Sequence, residues 1–164
     1  MIAARGAAAD DPFELRRLCG TAAALLLAAT ASGCTHAHDP LAHSCGAADQ
    51  RFLERATLDV TALGVWAQDY RAGDLGANEV AREAFDAAVR VTHVQPNDPS
   101  LRKAQLYLDG MFTEYGKAVM LSAKGRNAGD RMYRAYSLAN YAHDVLAEAQ
   151  PALQRQGCDV APLL

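Results

Sequence analysis

Apolar residues recur at alternating steps of three and four residues along four stretches of this chain. That spacing puts the apolar side chains on one face of an α-helix, whereas a β-strand requires a period of two. Each apolar face must be buried, so the sequence predicts helices that pack around a shared core. The four stripes are Leu53, Ala56, Val60, Leu63, Ala67 and Tyr70; Val80, Ala84, Ala87, Val91 and Val94; Leu101, Ala104, Leu108, Met111, Tyr115 and Ala118; and Met132, Ala135, Ala139, Ala142, Leu146, Ala149 and Leu153.

Residues that begin or end helices separate the first three stretches. The first stretch stops near Gly73, and the second is predicted to begin near Asn78, a good N-cap residue. Pro96 ends the second stretch, because proline lacks the N–H that a helix interior needs. Asp98 and Pro99 then open the third stretch in the order of an N-cap followed by a first helical residue.

Residues that begin or end helices also mark the limits of the fourth stretch. Lys124 and Gly125 close the third helix with a basic residue and a C-terminal glycine. The fourth helix begins near Asn127, and Pro151 is expected to kink or fray its end. Four helices of similar length with short connections predict an all-α fold, an antiparallel up-down-up-down four-helix bundle over residues 48–164.

A segment with the order of a signal peptide precedes the helices. Arg16 and Arg17 come before an uncharged run over residues 18–31, and small residues follow that run. The run has 14 residues, whereas a helix needs about 20 apolar residues to cross a bilayer. We therefore expect residues 1–33 to be an N-terminal signal peptide rather than a stable membrane span.

The sequence Ala31-Ser32-Gly33-Cys34 resembles the lipobox of bacterial lipoproteins. The resemblance implies that a diacylglyceryl group is attached to the Cys34 thiol and that the peptide is cut just before this residue. Cys34 is then the lipidation site, and the mature chain is anchored to the outer face of a bacterial cell membrane. Ordinary secretion after cleavage behind Ala31 is the alternative. The resemblance covers only the leader and its cysteine.

The first residues, 1–14, are acidic, whereas the start of a signal peptide is basic. This composition suggests that translation starts near Leu15 and that residues 1–14 are an over-long N-terminus. Arg16 and Arg17 also resemble a twin-arginine export signal, but the residues from Leu18 onward lack that family's aromatic-leucine continuation. Twin-arginine export is therefore disfavoured.

The four cysteines fit an exported protein. Cys19 lies in the segment that is removed and Cys34 is the lipidation site, which leaves Cys45 and Cys158. Two remaining cysteines outside the cytosol favour a disulfide. In the predicted bundle the start of the first helix and the end of the fourth meet at the same end. The cysteine count and the helix order therefore predict the same Cys45–Cys158 bond.

Three histidines, His36, His38 and His43, lie in residues 34–47, between the lipidation site and the first helix. Imidazole binds copper and zinc, so a metal site is one interpretation of this segment. Nothing in the sequence fixes the geometry of such ligands, so a polar tether at the membrane surface is the other interpretation. Cys34 cannot serve as a thiolate ligand once it carries lipid.

Two further histidines, His93 and His143, fall on the second and fourth helices. Their heights along the bundle differ by roughly 15 Å at about 1.5 Å per residue, which is too far apart for one metal ion. Neither follows a glutamate three residues earlier, as a di-iron bundle requires. The chain also lacks the Cys-x-x-Cys-His motif of c-type haem. No cofactor is therefore expected, apart from the copper or zinc interpretation above.

Aromatic and basic residues gather at the end of the predicted bundle that is distal to the two cysteines. Large rings on three helices there can surround a cavity, or they can fill the core beside alanines. The basic residues near the same turn can receive an anionic ligand or a protein partner, or they can form an ordinary solvated surface. These residues are Trp66, Tyr70, Tyr115, Tyr133 and Tyr136, with Lys117, Lys124, Arg126, Arg131 and Arg134.

No motif in the chain indicates catalysis. The serines lack a Gly-x-Ser-x-Gly context, and no glycine-rich phosphate loop is present. The net charge of −3 disfavours nucleic acid as a partner. The sequence therefore predicts a lipid-anchored binding or interaction module of the bacterial envelope, with an envelope protein or an anionic ligand as its partner. The alternative is a metal or cofactor carrier that uses the histidine segment or the aromatic layer, and an enzyme ranks third.

Overall fold

The computed structural model describes residues 45–164, which are helical and include no β-strand. Four long helices form a bundle, as the four apolar stripes predict. The predicted signal peptide, the lipidation site Cys34 and the histidines His36, His38 and His43 lie outside the described residues. The helices are α1 (Ala47–Ala72), α2 (Ala77–His93), α3 (Pro99–Ala123) and α4 (Gly129–Arg155), followed by a short 3-10 turn (Ala161–Leu163).

Several predicted helix ends are confirmed. Gly73 follows the last residue of α1 at φ 86°, a left-handed conformation that glycine adopts without the steric cost of a Cβ. Asp98 is the N-cap of α3, and its carboxylate accepts hydrogen bonds from the N–H groups of Ser100 at 2.7 Å and Leu101 at 3.2 Å. Pro99 is the first residue of α3, where its missing N–H has no helical partner to lose.

Two predicted helix starts are wrong by one or two residues. The N-cap of α2 is Gly76 rather than Asn78, because the carboxylate of Glu79 reaches back and accepts the Gly76 N–H at 3.0 Å. That bond satisfies a backbone donor at the start of the helix. The helix α4 begins at Gly129, and the side chain of Asn127 accepts the Gly129 N–H at 2.8 Å from outside the helix.

Of the predicted kink or fraying at Pro151, fraying does not occur, since α4 continues through this residue to Arg155. The kink stays a prediction. Pro151 lies close to the helix end, so the carbonyl that loses its N–H partner belongs to the exposed residue Ala147 and stays available to water. Leu153, which is 1% exposed, packs the last turn into the core. Burial of this side chain explains why the helix persists.

The main core cluster joins all four helices, and it confirms most of the predicted stripe positions. Its largest side chains, Phe52 and Phe112, are fully buried beside the predicted stripe members Leu53 and Met111. A smaller cluster of Val80, Ala81 and Val119 lies at the other end of α2 and α3 and is covered by aromatic rings.

The helix α3 is in extensive contact with α2 and α4. Gly116 allows a close approach to α2, because a Cβ there would lie 2.9 Å from the ring of Phe85 and 3.2 Å from the carbonyl oxygen of Ala81. Gly110 faces α4 in the same way, since its Cβ would lie 3.0 Å from Leu138. The two glycines therefore set how closely α3 packs against its neighbours.

The helix α1 is held mainly at its first half. Cys45, two residues before α1, is disulfide-bonded to Cys158 with 4.6 Å between the Cα atoms, which supports the predicted bond. The buried carboxylate of Asp49 accepts hydrogen bonds from the N–H groups of Asn97 and Asp98, before α3. The backbones of α1 and α4 nowhere come within 8 Å of each other, measured between Cα atoms. The two helices therefore do not pack closely against each other.

A partly buried ion pair fixes the middle of α1 on α2. Arg90 Nε donates a hydrogen bond to one carboxylate oxygen of Asp59 at 3.0 Å, and Arg90 Nη2 lies 2.9 Å from the same oxygen. The side chain of Asp59 is 5% exposed.

Among the described helices, none is both long enough and apolar enough to span a membrane.

Candidate functional site

A groove lies over α3, with α4 along one side and α1 at both ends. Three adjoining cavities of about 330, 580 and 150 Å³ make up this α1–α4 groove. Residues of α1 line the first and third cavities, and residues of α3 and α4 line the second. Tyr115 and Met132 line both the first and the second cavity, and Met111 and Ala139 line both the second and the third. The shared residues make the three cavities one continuous groove.

The groove is apolar along most of its length. Small side chains, Ala67 on α1 and Ala139 on α4, leave space between the two helices above Met111 and Tyr115 of α3. Met132 is 43% exposed although it belongs to the predicted stripe of α4. Its exposure follows from the separation of α1 and α4, because the helix that would cover it lies too far away.

Residues that carry polar groups border the distal end of the groove, away from the disulfide. Tyr70, Arg71, Tyr115 and Ser122 line the first cavity, whose surface is mostly apolar, and Arg71 and Ser122 are exposed. Burial raises the pKa of Tyr115, and the nearby charge of Arg71 partly offsets that rise. A mostly apolar cavity with a few polar groups at one end is the usual form of a small-molecule site.

A larger cavity, about 670 Å³, lies at the disulfide end of the bundle. Its lining mixes polar and apolar residues, including Gln50, Glu54 and Asp159. It lies beside Cys45 and far from the predicted aromatic and basic residues. We take the α1–α4 groove as the candidate site because its lining includes four of the five predicted aromatic residues.

The structure divides the predicted aromatic layer into two parts. Trp66, Tyr70 and Tyr115 are half-buried and pack against the smaller core cluster. Tyr133 and Tyr136 are 73% and 66% exposed and lie at the edge of the groove. The rings therefore do not enclose one cavity: three of them cover the core, and two border the open part of the groove.

The predicted basic residues are also divided. Lys117, Lys124 and Arg131 line a shallow cavity of about 260 Å³ between α3 and α4, with Met120 and Leu121. Lys117 and Arg131 both pair with Glu114, which offsets much of their positive charge. Arg126 and Arg134 are exposed and line none of the cavities described above.

Arg71 was not among the predicted site residues. It follows Val60 and Ala67 at steps of seven and four, so it extends the groove side of α1 by one helical turn. A charged residue at the end of an apolar stripe normally indicates solvent exposure. The sequence alone gave no sign that α4, through Met132, lines the same cavity as Arg71.

Among residues 45–164, no group of three or more histidine, cysteine, aspartate or glutamate side chains lies close enough to hold a metal ion. His93 and His143 are both exposed, and His143 Nδ1 lies 3.4 Å from the carboxylate of Asp144. The predicted metal ligands His36, His38 and His43 lie outside these residues, so the copper or zinc interpretation stays a prediction.

Comparisons with protein-family models, with curated proteins and with solved structures found no match to this chain. The site is therefore interpreted from its own residues.

Glu114 anchors α4 on α3. Arg131 Nη1 lies 2.9 Å from one carboxylate oxygen of Glu114 and 2.6 Å from the other, and Lys117 lies 3.1 Å away. The hydrogen bonds from Arg131 lower the pKa of Glu114 below its ordinary value, and Lys117 adds to this effect against the opposing effect of burial.

A lowered folded-state pKa means that Glu114 stabilises the fold above its ordinary pKa, and that this stabilisation is lost as the pH falls through the lowered value. We expect Glu114→Gln to reduce the free energy of unfolding by about 1 kcal/mol at neutral pH. The difference from wild type should shrink towards zero in acid. Chemical denaturation at several pH values measures it.

Glu83→Gln is the matched control, because within residues 45–164 the one ion pair of Glu83 is with its neighbour Arg82, at 3.5 Å. This control should differ little from wild type at any pH. A Glu114→Gln difference that persists unchanged in strong acid would contradict the assignment of the effect to the ionised carboxylate.

Proposed function

We propose that this chain is a lipid-anchored, extracytoplasmic binding module of a bacterial cell envelope, and that it takes its ligand in the α1–α4 groove. The observation that carries the binding proposal is the open, apolar groove. Met132, Tyr133 and Tyr136 are exposed along its α4 side. Exposed apolar patches on a soluble surface are typical of interaction sites, and tyrosine and methionine are common in them.

The disulfide supports export. Disulfides persist in oxidising compartments outside the cytosol and are rare within it. Cys45 and Cys158 are the two cysteines that remain once Cys19 and Cys34 are assigned to the leader and the lipid. The leader sequence, with its resemblance to a lipobox at Cys34, supports the same localisation independently of the bond.

An antiparallel up-down-up-down order fits the contacts between helix ends. The start of α1 meets the end of α4 through the disulfide, and it meets the start of α3 through Asp49. Cys34 precedes Cys45 by eleven residues, which span at most about 40 Å when extended. In this proposal the disulfide end faces the membrane, and the distal end of the groove faces the envelope space.

The anchoring proposal predicts that Cys34→Ala moves the protein from the membrane fraction to the soluble fraction of its host, because the substitution removes the thiol that carries the lipid. Fractionation and mass spectrometry of the mature N-terminus measure this. Cys19→Ala is the matched control, since that cysteine lies in the leader, and it should leave the protein in the membrane fraction. An unacylated Cys34 thiol in the wild-type protein would contradict the proposal.

The binding proposal predicts that the groove takes up an uncharged apolar fluorescent dye such as Nile red. Met132→Asp should weaken dye binding at least about tenfold, because a charge in an apolar site must be desolvated when the dye binds. Leu106→Asp is the matched control, since Leu106 is 66% exposed on α3 and lines no part of the groove. Equal dye binding by both variants would overturn the assignment of the groove, and circular dichroism checks that both variants fold.

A further inference from the structure

We propose that the ligand of the α1–α4 groove is a single-chain anionic amphiphile, of which a long-chain fatty acid is the simplest. Its carboxylate binds at Arg71 and its chain lies along α3 towards the 3-10 turn. This inference rests on the proposed binding function and adds the chemical class of the ligand.

Arg71 supplies the positive charge that selects an anion. Its Nε donates a hydrogen bond to the carbonyl oxygen of Ala67 at 3.0 Å. The two terminal nitrogens, Nη1 and Nη2, take no part in that bond. Within the part of the chain that the structure describes, Arg71 forms no salt bridge. A guanidinium fork matches a carboxylate in geometry and charge.

Three hydroxyl-bearing residues, Tyr70, Tyr115 and Ser122, line the same cavity as Arg71. Each carries an O–H group that can donate a hydrogen bond. Charged and hydroxyl donors at the end of an otherwise apolar groove favour a ligand with one anionic end.

The rest of the groove fits an unbranched apolar chain. Along α3 it extends from Leu108 to Ser122, which is roughly 21 Å at about 1.5 Å per residue. Beyond Ala139 the groove narrows to the cavity of about 150 Å³ that Leu163 of the 3-10 turn and Leu146 border. Apolar side chains line this narrow end, apart from His143 at its edge.

The size of the groove argues against a peptide helix as the occupant. A helix with its side chains is about 10 Å across, and the narrow cavity of about 150 Å³ has no room for one. A flexible acyl chain fits such a narrow space, and its binding removes only apolar surface from contact with water. The charge at one end and the narrow apolar channel therefore point to the same ligand class.

The test is isothermal titration of the purified full chain with hexadecanoate and with hexadecanol, below the concentrations at which either aggregates. We expect hexadecanoate to bind more tightly. Arg71→Gln should weaken hexadecanoate binding about tenfold and leave hexadecanol binding unchanged, because only the carboxylate uses the guanidinium. Arg134→Gln is the matched control, an exposed arginine outside the groove, and it should bind both ligands as wild type does.

The position of the chain is tested in the same titrations. Met132→Asp should weaken the binding of both ligands, whereas Leu106→Asp should not. Hexadecanoate binding that Met132→Asp leaves unchanged would overturn the inference, because the ligand would lie elsewhere.

The remaining outcomes separate this inference from the proposed function. If both ligands bind with equal affinity and Met132→Asp weakens both, recognition of the anion is overturned while the groove stands as a binding site. If Nile red binds in the groove and neither hexadecyl ligand does, the ligand class is overturned and the binding proposal again stands. If neither the dye nor the ligands bind, both proposals fail.

Discussion

The disulfide between Cys45 and Cys158 is the constraint on which the arrangement of the helices depends. It joins the chain just before α1 to the chain just after α4, two helices whose backbones do not otherwise approach closely. The bond spans a sequence separation of 113 residues, and in the chain-entropy model such a link stabilises a fold by roughly 4 to 5 kcal/mol. One end of the α1–α4 interface is thereby closed, and the other end is free to form the groove.

Polar contacts add to the apolar packing of Phe52, Leu53 and Ala56 in holding α1 in place beyond the disulfide. Asp49 binds the backbone before α3, and Asp59 pairs with Arg90 in a partly buried setting. The second carboxylate oxygen of Asp59 is buried and has no hydrogen-bond partner among the described residues. Buried ion pairs contribute little net stability but tolerate few alternative positions, because an unpaired buried charge is costly. Asp59 and Arg90 therefore fix where α1 lies on α2, while the apolar half of α1 next to the groove stays partly uncovered.

The sequence was sufficient to predict the helices but not the groove. Apolar periodicity reveals which face of each helix is buried, and glycine, proline and aspartate mark where helices end, so Gly73, Asp98 and Pro99 were predicted correctly. Periodicity does not reveal which two faces meet. Met132 belongs to a correct stripe and is nevertheless exposed, because the separation of α1 from α4 depends on packing between distant segments. Arg71 escaped prediction for the same reason. Fraying at Pro151 was predicted wrongly, because burial of Leu153 outweighs one lost backbone hydrogen bond.

If the disulfide keeps α1 on the bundle, the oxidised and the reduced protein should differ in amide hydrogen exchange. We expect reduction to accelerate exchange in α1, residues 47–72, while amides in the middle of α3 stay protected. Unchanged protection of α1 after reduction would contradict the claim, and so would an equal loss of protection in all four helices.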